Sequence, residues 1–106
     1  MPYTAHGVVI NAKRNVTAIF RLENGERIRF IGELFGHAVD FACSNASMTY
    51  ESRTQIFTAS KFTCELTNDT VKFTMSDGGP TFQGLLDWVS IECVTRGGLG
   101  TWEASD

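Results

Sequence analysis

The stretch Val16-Thr17-Ala18-Ile19-Phe20-Arg21-Leu22-Glu23-Asn24-Gly25-Glu26-Arg27-Ile28-Arg29-Phe30 decides the fold. Val16, Ala18, Phe20 and Leu22 alternate with Thr17, Ile19 and Arg21, and Ile28 and Phe30 alternate with Arg27 and Arg29 beyond an Asn-Gly turn. Successive side chains on a strand point to opposite faces, so each run is a strand with one buried face. Asn-Gly between two such runs is a strong hairpin signal, because both residues tolerate positive φ. A second hairpin follows the same plan: Val71, Phe73 and Met75 lead into Asp77-Gly78-Gly79-Pro80, and Phe82 leads out.

Half a chain separates the hairpins, which predicts an internal repeat. At an offset of 53, Thr17, Ala18, Phe20, Leu22, Asn24 and Gly25 fall on Thr70, Val71, Phe73, Met75, Asp77 and Gly78. At 52, Phe30, Gly32, Leu34 and Val39 fall on Phe82, Gly84, Leu86 and Ile91, and Thr49-Tyr50-Glu51 falls on Thr101-Trp102-Glu103. At 54, Val8, Ile10 and Ala12 meet Phe62, Cys64 and Leu66. The expected chain is therefore one domain over 1–106, made of two four-strand units, about 1–53 and about 54–106. Strands are predicted near 6–13, 15–23, 26–35 and 37–50, the last interrupted, and near 60–67, 69–76, 81–88 and 89–103.

Eight short strands with no long helical pattern make this an all-β protein. The expected architecture is a compact eight-stranded antiparallel barrel, or a two-sheet sandwich, built from two Greek-key-like units. Closure into a barrel removes exposed edges that a small domain could not otherwise cover. The connection from Glu51 to Ala59 lacks Gly and Pro and has room for a short helix anchored on the rim by Ile56 and Phe57.

The inward set expected from alternation is Val8, Ile10, Ala12, Val16, Ala18, Phe20, Leu22, Ile28, Phe30, Val39, Phe41 and Cys43. The second half continues it with Phe62, Cys64, Leu66, Val71, Phe73, Met75, Phe82, Leu86, Val89, Ile91 and Cys93. That set fills an eight-stranded barrel and leaves little lumen for a carried ligand.

The closing half carries a family resemblance. A strand pair turning at Asp77-Gly78-Gly79, a strand with Phe82 and Gly84, and the terminal Gly97-Gly98-Leu99-Gly100-Thr101-Trp102 resemble the C-terminal half of the virulence-associated proteins of the Vap type. The resemblance implies a compact eight-stranded barrel of two similar Greek-key units joined by a short helix, and an effector-like role.

Charge narrows the partners. Nine Lys and Arg against twelve Asp and Glu give a net charge of -3, without the basic footprint of a nucleic-acid binder. Divided at residue 53, the first half carries +1 and the second -4. No stretch approaches the roughly 18 apolar residues of a membrane-spanning helix, and the opening Met1-Pro2-Tyr3-Thr4-Ala5-His6 lacks the plan of a signal peptide. The expectation is a soluble protein, cytoplasmic as the chain stands and secreted if a leader has been removed.

Catalytic and metal-binding patterns are sparse, and no cofactor is expected. Cys43, Cys64 and Cys93 have neither zinc-knuckle nor redox spacing and read as buried, inert thiols. His37 lies near Glu33 and Asp40, but on a strand His37 and Asp40 point to opposite faces unless Gly36 bulges the chain. His6 is the other imidazole and reads, like His37, as a surface or satisfied histidine. Asp77-Gly78-Gly79 and Gly97-Gly98-Leu99-Gly100 read as turns, since neither joins a strand to a helix as a phosphate loop does. Asn15, Asn45 and Asn68 each open an Asn-x-Ser/Thr triplet and read as turn residues unless the chain enters a secretory pathway.

Aromatic residues supply the remaining handle. Tyr50 and Trp102 are repeat-equivalent, which fits plugs at the ends of the two halves. Trp88 has no aromatic counterpart, because its equivalent is Gly36, and this asymmetry predicts an exposed apolar patch of Phe35, Leu85 and Trp88. The expected function is a non-enzymatic interaction module presenting that patch to a protein partner, a membrane surface or another copy of itself. The alternative is a small-ligand or carbohydrate-binding barrel stacking rings on Tyr50 and Trp102 at its mouth. A third reading is a small enzyme using His37 with Asp40 or Glu33.

Overall fold

A computed structural model describes residues 3–36, 38–52, 56, 60–76, 78–90 and 92–104. Its strands are β1 (Tyr3–Ala12), β2 (Asn15–Arg21), β3 (Arg27–Leu34), β4 (Phe41–Tyr50), β5 (Ser60–Leu66), β6 (Thr70–Met75), β7 (Thr81–Leu85) and β8 (Val94–Ala104). They close into an antiparallel barrel in the order β1-β2-β3-β8-β5-β6-β7-β4, with β4 returning to β1. The barrel rather than the sandwich is thus the architecture, and every strand has a partner on both sides. The first four strands are contiguous as β4-β1-β2-β3, and the last four as β8-β5-β6-β7.

The first hairpin forms where the sequence puts it, with a different turn. Arg21 pairs with Arg27, the Leu22 N–H donates to the Glu26 carbonyl, and the Gly25 N–H donates to the Leu22 carbonyl. Glu23, Asn24 and Gly25 therefore make a three-residue loop in which Gly25, at φ 87, alone takes the left-handed conformation.

Inside lies an aromatic core. Phe82 contacts Phe20, Phe30, Phe73 and Trp102 at centroid distances of 5.3, 5.6, 4.6 and 5.8 Å, and Phe62 bridges Phe30 and Phe73. Aromatic pairs in these offset and edge-on geometries add about 0.5–1.5 kcal/mol each beyond the burial of their area. Ile56 is fully buried, as expected for the rim anchor. The rest of the helix expected within Glu51–Ala59, with Phe57, falls mostly on residues outside those described.

Strand β1 corrects the expected register. Ala5, Val9 and Asn11 are buried, whereas Val8, Ile10 and Ala12 face outward. Val8-Val9-Ile10 is apolar at both parities, so alternation alone does not choose between them. The even register would carry His6 into the core, at the cost of desolvating an imidazole. The observed register leaves Gly7 half-buried, where a Cβ would run into the Ile19 carbonyl. Asn11, the polar residue this register buries, donates its amide to the Lys13 and Val39 carbonyls at 3.0 and 2.9 Å.

Strand β4 is interrupted by a bulge. Gly7 opposes Ala46 and Val9 opposes Cys43, so Ser44 and Asn45 together stand against Val8. Both are exposed, and inward facing passes from Cys43 to Ala46. Asn45 is therefore a bulge residue, not the turn residue expected, while Asn15 and Asn68 do lie at turns.

The run Gly97–Gly100 lies within β8, which overturns its reading as a turn. Gly98 and Gly100 face inward, where a Cβ on either would collide with the Phe62 or Phe30 ring. The glycines are there to admit those rings. Strand β7 ends at Leu85 and β8 begins at Val94, so the expected strand start at 89 is a loop. Val89 and Cys93, both expected inside, are exposed there, and Ile91 lies outside the described residues.

Candidate functional site

The β1–β2, β3–β4, β5–β6 and β7–β8 connections gather at one end of the barrel, here the loop end. The β7–β8 loop is fastened there at several points. The Leu86 N–H donates to the Asp69 carbonyl at 2.7 Å and the Asp87 N–H to the Ala42 carbonyl at 2.8 Å. The Asp87 carboxylate accepts the Ser44 N–H at 2.8 Å and the Ser44 hydroxyl at 2.6 Å. These bonds favour the ionised form and hold the Asp87 carboxyl below its usual range. Farther along, the Ser90 N–H donates to the Asn68 carbonyl and the Asn68 amide to the Ser90 carbonyl. The bulge at Ser44 and Asn45 is what turns Ser44 outward to meet Asp87.

Held by these bonds, Leu85, Trp88 and Val89 project into solvent at 67%, 53% and 74% exposure. Sequence reasoning singled out Leu85 and Trp88 but placed Val89 inside. Phe35, at 55% exposure, shares the loop end. Its N–H donates to the Gly97 carbonyl at 2.8 Å, and its ring lies over Gly97, which has no side chain to displace it. The β3/β8 seam that carries Phe35 is four strands round the barrel from the β7/β4 seam that carries Leu85 and Trp88. The structure thus gathers Leu85, Trp88 and Val89, and sets Phe35 on the far side of the same end.

The rings of Tyr50 and Trp102 are inside the wall. Trp102 packs on Phe20, Phe30 and Phe82, and its Nε1 is buried with no hydrogen-bond partner among the described residues. Tyr50 is buried and stacks on Tyr3 at 5.4 Å. Burial, then the charges of Glu23, Tyr3 and Glu26, push its phenol pKa up. Trp102 thus lies within the core, whereas Tyr50, stacked on Tyr3, lines an open pocket of about 320 Å³ with Leu22, Glu23 and Asn24.

Of the expected acid-base group, only the two carboxylates are among the described residues. Asp40 accepts the Lys13 N–H at 2.6 Å, Glu33 is exposed on the outer wall of β3, and His37 lies outside the described residues. Burial, then the Asp87 charge, raises the Cys43 thiol to about 11, and burial raises Cys64 to about 12, with Cys43 and Glu65 adding to it. Cys93 is exposed, contrary to expectation. Among the described residues no three His, Cys, Asp or Glu side chains are grouped to hold a metal ion.

Two open grooves flank the bulge. One of about 500 Å³ runs over the outer wall of β4, β7 and β6 and is lined by Asn45, Ser47, Thr70, Lys72, Gln83 and Leu85 among others. The other, about 580 Å³, lies beside His6, Val8, Ser44 and Asn45. Below the first, Thr63, Thr74, Thr81, Thr49 and Thr4 stand in register across β5, β6, β7, β4 and β1. Such cross-strand threonine pairs stabilise a sheet by about 0.2–1 kcal/mol each.

The protein is thus a closed, eight-stranded antiparallel barrel with an aromatic core. Compared with solved structures, it is similar to "Virulence-associated protein VapB from the intracellular pathogen Rhodococcus equi", over 97% of this chain and 96% of that one. The identity is 17% and the TM-score 0.46, a weak likeness consistent with the Vap-type resemblance in the sequence. The sequence matches no family model and no curated protein. No helix among the described residues is long and apolar enough to cross a membrane.

Proposed function

We propose that this barrel is a non-enzymatic interaction module whose contact surface is the β7–β8 loop, with Trp88 as its anchor and a protein as its partner. The observation that carries the reading is the combination of exposure and fastening at one loop. Leu85, Trp88 and Val89 stand in water, while Asp87 is tied to Ser44 and Ala42, and Ser90 to Asn68. Ordering a loop on binding costs affinity, so a loop already fixed presents its indole without that cost. Trp is also among the residues most enriched at binding hot spots.

We further infer that the barrel arose by duplication of one four-strand Greek-key unit. Its support is the strand order, fourth-first-second-third in each half, together with the repeat-equivalent, inward Tyr50 and Trp102.

The test uses two tryptophans in different surroundings. Trp88 is exposed and Trp102 buried, so partner binding at the loop shifts only the Trp88 emission, to the blue. Wild-type protein and Trp88→Ala serve as parallel baits, and melting curves establish that both are folded. Loss of the captured partner with Trp88→Ala supports the reading. Equal capture and equal self-association by the two folded proteins overturn it.

A further inference from the structure

We propose that the pocket where Tyr3 and Tyr50 meet the β2–β3 loop is a binding site for a small organic cation of the trimethylammonium class. It opens at the end of the barrel opposite the β7–β8 loop. Its volume is about 320 Å³, and Tyr3, Leu22, Glu23, Asn24, Tyr50 and Glu51 are among its lining residues. Tyr3 and Tyr50 face each other across β1 and β4 with their rings stacked at 5.4 Å. They share the inward parity of Ala5 and Met48 at the point where the wall ends, so the rings bound the barrel mouth. Leu22 is buried beside them and gives the pocket an aliphatic floor, while Tyr3 keeps 45% exposure and has ring surface open to a ligand.

Electrostatics select a cation. Burial, then the charges of Glu23, Tyr3 and Glu26, raise the Tyr50 phenol, and no basic group acts against them. Glu23 has no ion pair among the described residues. Arg21 and Arg27 adjoin the same loop, but Phe20 and Ile28 face the core, so alternation sends both arginines to the outer wall. Among the described lining residues there is no Lys, Arg or His.

The polar atoms separate a trimethylammonium from a primary amine. A primary ammonium has three N–H donors to satisfy, and the Asn24 Oδ1 that could accept one already takes the Glu26 N–H at 2.9 Å. A trimethylammonium has no N–H, and it gains from an aromatic face and an aliphatic floor. Tyr50 carries a second sign of a ligand. It is 7% exposed and lines the pocket, yet its hydroxyl makes no hydrogen bond among the described residues. A polar group left unpaired in a buried residue is costly, and the hydroxyl of choline is placed to satisfy it.

The probe is choline chloride, titrated into labelled protein at constant ionic strength and followed by amide resonances. Shifts centred on Tyr3, Leu22, Glu23, Asn24 and Tyr50 and saturating at millimolar concentration are expected. Dimethylbutanol, the uncharged isostere of choline, is expected to give none, and ethanolamine to bind more weakly. Tyr3→Leu keeps an apolar residue at the exposed start of β1 and is expected to weaken choline binding about fivefold or more. Glu23→Gln is expected to weaken it about threefold. Melting curves establish that both variants are folded, and Trp88→Ala leaves choline binding unchanged, which separates this pocket from the β7–β8 loop. Phosphatidylcholine vesicles distinguish the source of the cation. Sedimentation with them that is lost in Tyr3→Leu makes the ligand a lipid headgroup, and choline binding without sedimentation makes it a free solute. Absence of choline-induced shifts, equal binding of the uncharged isostere, or binding indifferent to both Tyr3→Leu and Glu23→Gln overturns the proposal.

Discussion

The Phe30 ring fills the space that a side chain on Gly100 would occupy, and a Cβ there would also come within 2.9 Å of the Ile31 carbonyl. Gly100 is paired with Gly32 on β3, where a Cβ would meet the same ring at 2.8 Å. The wall is thinned at this seam so that the aromatic core can reach it.

Gly100→Ala therefore forces the backbone apart and is expected to cost about 3 kcal/mol, a melting point lower by about 12–20 °C for a domain of this size. Gly97→Ala, in the same run, meets only ordinary contact with Phe35 at 3.5 Å and is expected to be tolerated. Thermal melts of the two variants check the contrast, and equal losses would refute the explanation.

Asp87 makes stability depend on pH in one direction. Its carboxyl is held below the usual value of 3.8 by Ser44, so the folded state favours the ionised form. The stabilisation is complete above the unfolded pKa and is lost as pH falls through the folded one. Asp87→Asn is expected to melt below wild type at neutral pH, with the gap closing below about pH 4. A gap that persists undiminished at about pH 2 would rule out the charge as its source.

Lys13 takes a left-handed backbone conformation at φ 63 in the β1–β2 turn. The conformation costs an L-residue about 1–2 kcal/mol, part of which glycine recovers against its greater freedom when unfolded. Lys13→Gly is expected to raise stability by up to about 1 kcal/mol in chemical denaturation, because the bond to Asp40 is made by the backbone N–H and survives.

Thiol chemistry separates the three cysteines. Burial lifts Cys43 to about 11 and Cys64 to about 12, so neither forms thiolate at mildly alkaline pH, whereas Cys93 is exposed. Native protein is expected to release one equivalent of a chromogenic thiol reagent, and unfolded protein three. Rapid reaction of a second thiol in the native state would contradict the burial.

The strands were most legible where apolar and polar residues alternate without ambiguity. Val16, Ala18, Phe20 and Leu22, then Val71, Phe73 and Met75, face the core as their pattern requires. Legibility failed at β1, where Val8, Val9 and Ile10 give both faces an apolar set, and at β8, where a run of glycines resembles a turn. Trp88 and Leu85 stood out in sequence because the other half has no equivalent. The apolar outer wall did not, since alternation by itself assigns Val8 and Ile10 to the core, where the structure has Val9 and Asn11.

By itself, then, the sequence determined the hairpins, the number of strands and an all-β architecture, because period-two patterning and turn chemistry are local, while closure into a barrel rather than a sandwich was left to the strand pairing. Only the tertiary structure decided the parity of β1, the bulge at Ser44 and Asn45, and the use of Gly98 and Gly100 as space for Phe62 and Phe30. Those depend on which residue a neighbouring strand brings opposite, and a one-residue slip in that pairing exchanges the inside of the barrel for its outside.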